Sequence, residues 1–207
     1  MYAYALNNPL FYVDPTGMDA IAVGFTNLAV HLGHVGIVSL HSDGSATFGE
    51  FGPSRSGTPV WTGKITEYGL NTKVEFGQDG KPTQASLNAL RDEIAGRDNE
   101  PAGNIMLVDF KTTDAEASNI DNWFKEQLKN PEWWVYHVGE APWDTDCRDF
   151  LRQGLNAAGQ HFTRAQFLRA PNNLFNWLAE QPGATPLREK VTHKIYDDQG
   201  NVIGGSN

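Results

Sequence analysis

Residues 34–40 read HVGIVSL, and after the polar stretch HSDGS at 41–45 the chain continues with ATFGEF at 46–51. The first and third runs are rich in apolar, β-branched and aromatic residues, which favour a strand. The stretch between them contains the serine, aspartate and glycine that are typical of a tight turn. Two such runs joined by a turn predict a β-hairpin, and the apolar, β-prone character extends back to residue 20.

Outward from this hairpin, the chain predicts helices and strands in mixed order. Helical spacing of apolar residues predicts helices over residues 83–96, 113–130, 147–158 and 173–180. Strands are predicted at 105–110 and 133–138, and a terminal hairpin at 191–203. Residues 53–82 are rich in glycine, proline and threonine, which predicts a loop with short strands such as 73–76. The pattern indicates an α+β fold in which an antiparallel sheet packs against helices.

The helix at 113–130 has the strongest local signals. Thr113 and Glu116 stand three residues apart, as in a capping box, and Pro131 ends the helix. One face is apolar and is predicted to be buried: Ile120, Trp123, Phe124 and Leu128.

Composition excludes several classes of protein. The 207 residues are 40% hydrophobic, enough for one buried domain or one domain with a short appendage. The net charge of −9 repels nucleic-acid phosphates, and the densest basic cluster is only Arg188, Lys190 and Lys194. A single cysteine excludes an internal disulfide and the multi-cysteine zinc patterns. No apolar run approaches the ~20 residues of a membrane anchor, and the first residues lack the pattern of a signal peptide.

Cys147, the single cysteine, is a candidate nucleophile. Asp144, Thr145 and Asp146 are all good N-cap residues, so the cysteine is expected in the first turn of its helix. There the free backbone N–H groups and the positive end of the helix dipole stabilise a thiolate. The neighbouring acids oppose that effect, so a base is required.

His34 is the candidate base. It stands at the start of a predicted strand, where a sheet edge can present an imidazole to a helix packed across it. Glu50 is predicted on the adjacent strand, where it could accept the second imidazole N–H and fix the tautomer. Cys147, His34 and Glu50 would then be nucleophile, base and orienting acid. Backbone N–H groups at the start of the helix could supply an oxyanion site.

Structural interpretations of the same residues remain open. A cysteine at a helix start is often a buried small hydrophobe, and Glu50 could equally be a solvated strand residue. His31 and His34, three apart, would point to opposite faces of a strand, which disfavours a shared zinc site. The aspartates around Cys147 are expected to be caps and surface charge, so no metal or cofactor is expected. The remaining histidines are interpreted as structural: His31, His41, His137, His161 and His193.

Two short motifs resemble a known family. The sequence GHVGIV at 33–38 looks like the histidine strand of NlpC-type papain-like hydrolases, and DCRDFL at 146–151 looks like their nucleophile helix. The standard family has the cysteine first. The histidine-first order here is similar to the circularly permuted branch, which includes bacterial toxins and lecithin:retinol acyltransferase-like enzymes. The resemblance implies a circularly permuted NlpC-type, papain-like fold with Cys147 and His34 catalytic. Glu50 would replace the usual third histidine, and Tyr136 is the nearest counterpart of an upstream oxyanion tyrosine.

The N-terminal segment YAYALNNPLFYVDPTGM at 2–18 resembles the closing motif of the Rhs-repeat core, the shell of polymorphic bacterial toxins. The matching positions are Asn8, Pro9, Asp14, Pro15 and Gly17. The resemblance implies that residues 1–18 are a shell remnant and residues 19–207 the toxin or effector domain, with cleavage between Met18 and Asp19. It also implies an Rhs shell as partner before release, a cognate immunity protein, and delivery into a target bacterium as a type VI secretion effector.

Together these features predict an antibacterial effector toxin that acts as a Cys-His hydrolase on amide bonds, most typically those of peptidoglycan peptides. One alternative keeps the fold but makes the chain a lipid acyl hydrolase or acyltransferase, or a protein deamidase or protease. Another is a non-catalytic binding module in which Cys147 is only buried. The compartment of action, periplasm or cytoplasm, stays open.

Overall fold

A computed structural model of the protein describes residues 19–26, 34–53, 63–130, 146–167, 171–182, 184–186, 195–196 and 202–204. The strands are β1 Asp19–Phe25, β2 His34–Leu40, β3 Ala46–Pro53, β4 Gly63–Gly69, β5 Ile105–Lys111, β6 Ala184–Pro186, β7 Ile195–Tyr196 and β8 Val202–Gly204. The helices are α1 Gln84–Asp98, α2 Asp114–Gln127, α3 Cys147–Ala157 and α4 Pro171–Leu178, with short 3₁₀ turns at Ala102–Asn104 and Arg164–Phe167.

Six strands form one sheet in the order β4-β3-β2-β1-β5-β6, and all of its pairings are antiparallel. β1 and β2 lie in the middle and are buried at every residue. Burial on both faces is the reason that their sequences read as continuous apolar runs instead of alternating ones. The predicted hairpin is confirmed as β2–β3, and its turn contains Gly44 at φ 81°, in the left-handed region that favours glycine.

Helices cover the sheet on both faces. On one face α2, α3 and α4 pack through Phe124, Phe150 and Phe175 against strand residues that include Ile37. On the other face α1 packs against residues such as Val38. Burying one large apolar side chain of this kind stabilises the fold by about 1.5–3 kcal/mol. The predicted α+β arrangement, an antiparallel sheet packed against helices, is confirmed.

Two strand glycines let the helices approach the sheet closely. A Cβ atom at Gly49 of β3 would lie 2.5 Å from the ring of Phe124, and one at Gly24 of β1 would lie 2.6 Å from the ring of Phe175. Glycine weakens a strand interior. At these two positions it leaves the space in which the aromatic rings of α2 and α4 lie against the backbone.

The N-terminal capping signal predicted for α2 is confirmed. Thr113 caps α2, with its N–H donating to the Glu116 carboxylate over 2.8 Å and its hydroxyl accepting from the Glu116 N–H, which is the predicted capping box. Ile120 and Phe124 are buried as predicted. Leu128 is 48% exposed, against the prediction, because α2 ends at Gln127.

The region between β3 and α1 differs from its prediction. The structure has a seven-residue strand, β4, at Gly63–Gly69. The short strand predicted at 73–76 is wrong, because that segment forms only an isolated bridge from Phe76 to Pro82. The terminal hairpin is confirmed as β7–β8. The strand predicted at 133–138 and the shell remnant at 1–18 lie outside the described residues.

Two buried carboxyl groups meet on the α1 side of the sheet. Asp19 and Asp109 are 2% and 5% exposed and are hydrogen-bonded to each other across β1 and β5. Burial, and then the neighbouring acid, raise the pKa of Asp109 to about 8. Burial also raises the pKa of Asp19, to about 6, although its hydrogen bond to Asp109 and the charge of Lys111 limit the rise. The folded protein therefore holds a proton here at neutral pH.

This pair should make the protein less stable as pH rises. Both folded pKa values exceed the unfolded value of about 3.9, so between about pH 4 and pH 8 the folded state binds more protons than the unfolded state. The free energy of unfolding should fall with pH across that window. Asp109→Asn should raise it at pH 8 by about 1–3 kcal/mol and flatten the slope. Urea titrations at pH 5, 7 and 8 measure this, with the exposed Asp92→Asn as control, and an unchanged slope in Asp109→Asn would contradict it.

Candidate active site

Cys147 is the first residue of α3, directly after the N-cap residue Asp146. The Asp146 carboxylate accepts hydrogen bonds from the backbone N–H groups of Arg148, at 2.8 Å, and Asp149, at 3.3 Å. The predicted place of the cysteine in the first helical turn is therefore confirmed, and Asp146 is its cap. Cys147 is only 3% exposed, and it belongs to the core that α3 forms against the sheet.

His34 and Glu50 form a hydrogen-bonded pair on adjacent strands. His34 opens β2, and Glu50 of β3 lies opposite Gly36, two residues along β2 from His34. Side chains two apart on a strand share a face, so the carboxylate reaches the imidazole. His34 Nε2 lies 2.9 Å from Glu50 Oε2, with side chains only 6% and 13% exposed. The contact predicted from the hairpin is present in the structure.

The imidazole of His34 also contacts Cys147. Burial by itself lowers the pKa of His34, but the negative charge of the Cys147 sulfur and a hydrogen bond to it raise it. The hydrogen bond and charge of Glu50 add to that effect, and together they raise the pKa of His34 to about 10. The imidazole thus lies between two partners that favour its protonated form, and near pH 7 it is held as an imidazolium.

The contact forms at an end of the sheet. Strand alternation places His34 on the side of Val38, which faces α1, and its ring lies 5.7 Å from that of Phe25. The α3 helix packs on the opposite side, where its Gly154 lies against Ile37. His34 is the first residue of β2 and Cys147 the first residue of α3, so they meet where both elements begin. The sequence predicted an imidazole at a sheet edge that faces a helix packed across it. In the structure, His34 contacts Cys147 at the end of strand β2.

The acids beside Cys147 are paired with arginines. The second oxygen of Asp146 accepts from Arg148 Nε at 2.8 Å and also from Arg148 Nη2. Asp149 accepts from Arg152 Nη2 at 2.7 Å. The repulsion that these acids were expected to exert on a thiolate is therefore reduced. The sequence reasoning overlooked both arginines, although each follows its aspartate by two or three residues in a helix.

Three backbone donors at the start of α3 are already engaged. The N–H groups of Arg148 and Asp149 donate to the Asp146 side chain, and that of Phe150 donates to the Asp146 carbonyl over 3.1 Å. These donors belong to the helix cap and its first turn. An oxyanion site at the start of this helix, which stays a prediction, would therefore need donors other than these three.

Several other candidate residues fall outside the described part of the chain, and His41 has a different partner. Tyr136, His31, His137, His193 and Asp144 are outside the described residues. His41 Nε2 lies 2.8 Å from Asp121 of α2 and so links that helix to the β2–β3 turn, a structural contact. Within the described ranges, no group of three or more histidine, cysteine or acidic side chains could hold a metal ion. In the same ranges, no helix is long and apolar enough to cross a membrane.

The fold is similar to that of one solved bacterial protein. A crystal structure titled "type VI secretion system effector, TseH" superposes with a TM-score of 0.60 at 17% sequence identity, over 79% of this chain and 88% of that chain. No protein-family model and no curated protein matches the sequence. The likeness extends to the fold alone, which in this chain is a six-stranded antiparallel sheet packed against helices.

Proposed function

We propose that the chain is an antibacterial effector in which Cys147, His34 and Glu50 act as nucleophile, base and orienting acid of a hydrolase. The observation that carries the proposal is the position of His34, which contacts Cys147 on one side and Glu50 on the other. A nucleophile in contact with a base that a third group orients is the arrangement of a cysteine hydrolase.

The geometry suits acyl transfer from an amide. The Cys147 thiolate attacks the carbonyl carbon, so that a sulfur–carbon bond forms and the carbon–nitrogen bond breaks, while the imidazolium gives its proton to the departing amine. His34 then takes a proton from water, which attacks the thioester and releases the acid and the thiolate. Because Glu50 holds Nε2, we assign Nδ1 of His34 to these proton transfers. Glu50 keeps the ring oriented.

The finer assignment is a circularly permuted, NlpC-type papain-like enzyme. Two features support it: the histidine strand precedes the cysteine helix in sequence, and the helix packs on an antiparallel sheet. Similarity to a protein titled a type VI secretion system effector supports delivery into a target bacterium. Residues 1–18 then form the remnant of an Rhs shell and 19–207 the effector, whose partners are that shell and an immunity protein. Amide bonds of peptidoglycan peptides are the proposed substrate, and lipid esters are the alternative acyl donor.

A binding module is the second candidate, and the burial of Cys147 favours it. The cysteine is 3% exposed and lies within the helix-side core, as an inert small hydrophobe would. In that case the contact with His34 would only fill space.

The compartment and the product together test the proposal. Residues 19–207 are expressed in bacteria with and without an export signal, and purified peptidoglycan and lipid vesicles are each treated with wild type and Cys147→Ala. We expect killing only of cells with the exported form, and new peptide fragments from peptidoglycan only with wild type. Killing confined to the cytoplasmic form would reject the cell-wall substrate. Release of fatty acid from vesicles would favour the lipid alternative, and equal killing by Cys147→Ala would favour the binding module.

A further inference from the structure

We propose that Arg148 is a positioning residue for the nucleophile and that it acts through Asp146. By pairing with the Asp146 carboxylate, Arg148 cancels a buried negative charge next to Cys147 and locks the helix cap that aims the sulfur at His34. This inference rests on the proposed function of Cys147 as a nucleophile. It adds a residue that the two sequence motifs did not single out.

The Asp146 carboxylate is saturated with donors. One oxygen accepts the backbone N–H groups of Arg148 and Asp149, and the other accepts Nε and Nη2 of the Arg148 guanidinium. Asp146 is 4% exposed, and the Arg148 side chain is 12% exposed. A two-pronged guanidinium–carboxylate contact fixes geometry as well as charge, and burial reduces its screening by salt. Arg148 therefore fixes the conformation of the helix cap at Cys147 and neutralises the negative charge of Asp146 beside it.

The charge of Asp146 matters because it lies next to the Cys147 thiolate, whose stabilisation by the start of the helix is limited. Cys147 contacts His34, whose other partner is Glu50 of β3, and its neighbours in sequence include two aspartate–arginine pairs, Asp146–Arg148 and Asp149–Arg152. Three N–H groups of the helix start are taken up by Asp146. Without Arg148, the Asp146 carboxylate would repel the thiolate from the adjacent residue, and His34 and the positive end of the helix dipole would have to oppose that repulsion.

The test is the rate at which iodoacetamide, a neutral reagent, alkylates Cys147 between pH 5 and 10, followed by intact-protein mass spectrometry. The variants are Arg148→Met, Arg148→Lys, the double variant Asp146→Asn with Arg148→Met, and Arg152→Met as the matched control. We expect Arg148→Met to slow alkylation about tenfold at neutral pH and to shift the pH profile upward. Arg148→Lys keeps the positive charge, so its alkylation rate should fall less than that of Arg148→Met. Arg152→Met should stay within about twofold of wild type.

Rescue by the double variant separates a charge effect from a merely structural one. Removing the Asp146 charge should restore most of the rate and the original pH profile, whereas a loss of packing would not be restored by a second substitution. If Arg148→Met does not fold, the alkylation rates and pH profiles of Arg148→Lys and of the double variant are compared with those of wild type instead. An unchanged pH profile in Arg148→Met, with alkylation still dependent on His34, would overturn the role of Arg148 and leave the proposed function standing. Alkylation that His34→Gln does not slow would instead reject the proposed function.

Discussion

Cys147→Ala is expected to abolish killing by the exported domain and to reduce hydrolysis of its purified substrate by more than about a thousandfold, because no other group can form the thioester. Cys147→Ser should be nearly as inactive. A serine hydroxyl at the same place is far less acidic than a thiol, and the pairing with the His34 imidazolium depends on a sulfur that carries charge.

The fold should survive this change, which keeps the activity result interpretable. Cys147 is small, and truncating it to alanine removes one buried sulfur from the helix-side core, at a cost of the order of 1 kcal/mol. Urea unfolding of wild type and Cys147→Ala provides that control. Wild-type toxicity from a folded Cys147→Ala protein is the outcome that rejects every hydrolase hypothesis for this chain.

His34→Gln is expected to produce a loss of similar size, because it removes both the partner of the thiolate and the proton donor to the leaving group. His41→Gln is the matched control, since His41 also contacts a carboxylate, that of Asp121, at 2.8 Å but far from Cys147 along the β2–β3 turn. Hydrolysis and killing by the two purified variants are compared at equal concentration. A His41 variant as inactive as the His34 variant would show that the loss reflects folding rather than catalysis.

The same substitution should change how stability depends on pH. The pKa of His34 is raised in the folded state, to about 10 from about 6.5. Its contribution to stability is therefore fully present below about pH 6.5 and is lost as pH rises toward 10. The difference in unfolding free energy between wild type and His34→Gln should shrink across that window. A difference that stays constant from pH 6 to 10 would contradict the raised pKa.

Glu50→Gln keeps the shape of the side chain but not its charge. The amide can still contact Nε2 of His34, so the ring should remain in place while the imidazolium loses one of its two acidic partners. We expect a loss of activity of about ten- to a hundredfold, smaller than that of His34→Gln. Steady-state hydrolysis at several pH values measures it. A rise in KM with kcat unchanged would point to substrate contact instead of orientation.

How far the sequence predicted the structure depends on how local each signal is. The capping box of α2 and the turn between β2 and β3 involve residues within a few positions of one another, and both are confirmed. Short strands were predicted within 53–82, but the one at Gly63–Gly69 was not located, because its bounds are defined by pairing with β3. Leu128 follows the apolar spacing of α2 but lies just beyond the last residue of the helix and is half exposed.

The contacts of the candidate site also differ in how well the sequence could predict them. The His34–Glu50 contact follows from the register of a short hairpin, so the sequence could predict it. The contact of His34 with Cys147 was expected from the chemistry of a nucleophile and its base and from the resemblance to a family, since no spacing rule joins residues so far apart. The arginine partners of Asp146 and Asp149 depend on side-chain conformation on a helix surface, which composition and periodicity do not specify.

The spread of the site over β2, β3 and α3 also has a consequence for biosynthesis. His34 and Glu50 are sixteen residues apart and can come together as soon as one hairpin forms, whereas Cys147 leaves the ribosome about a hundred residues later. Closing so long a loop slows folding more than it lowers stability. A nascent or truncated chain that ends before Cys147 therefore contains the base without the nucleophile. The cell that makes the protein would need protection only from finished molecules.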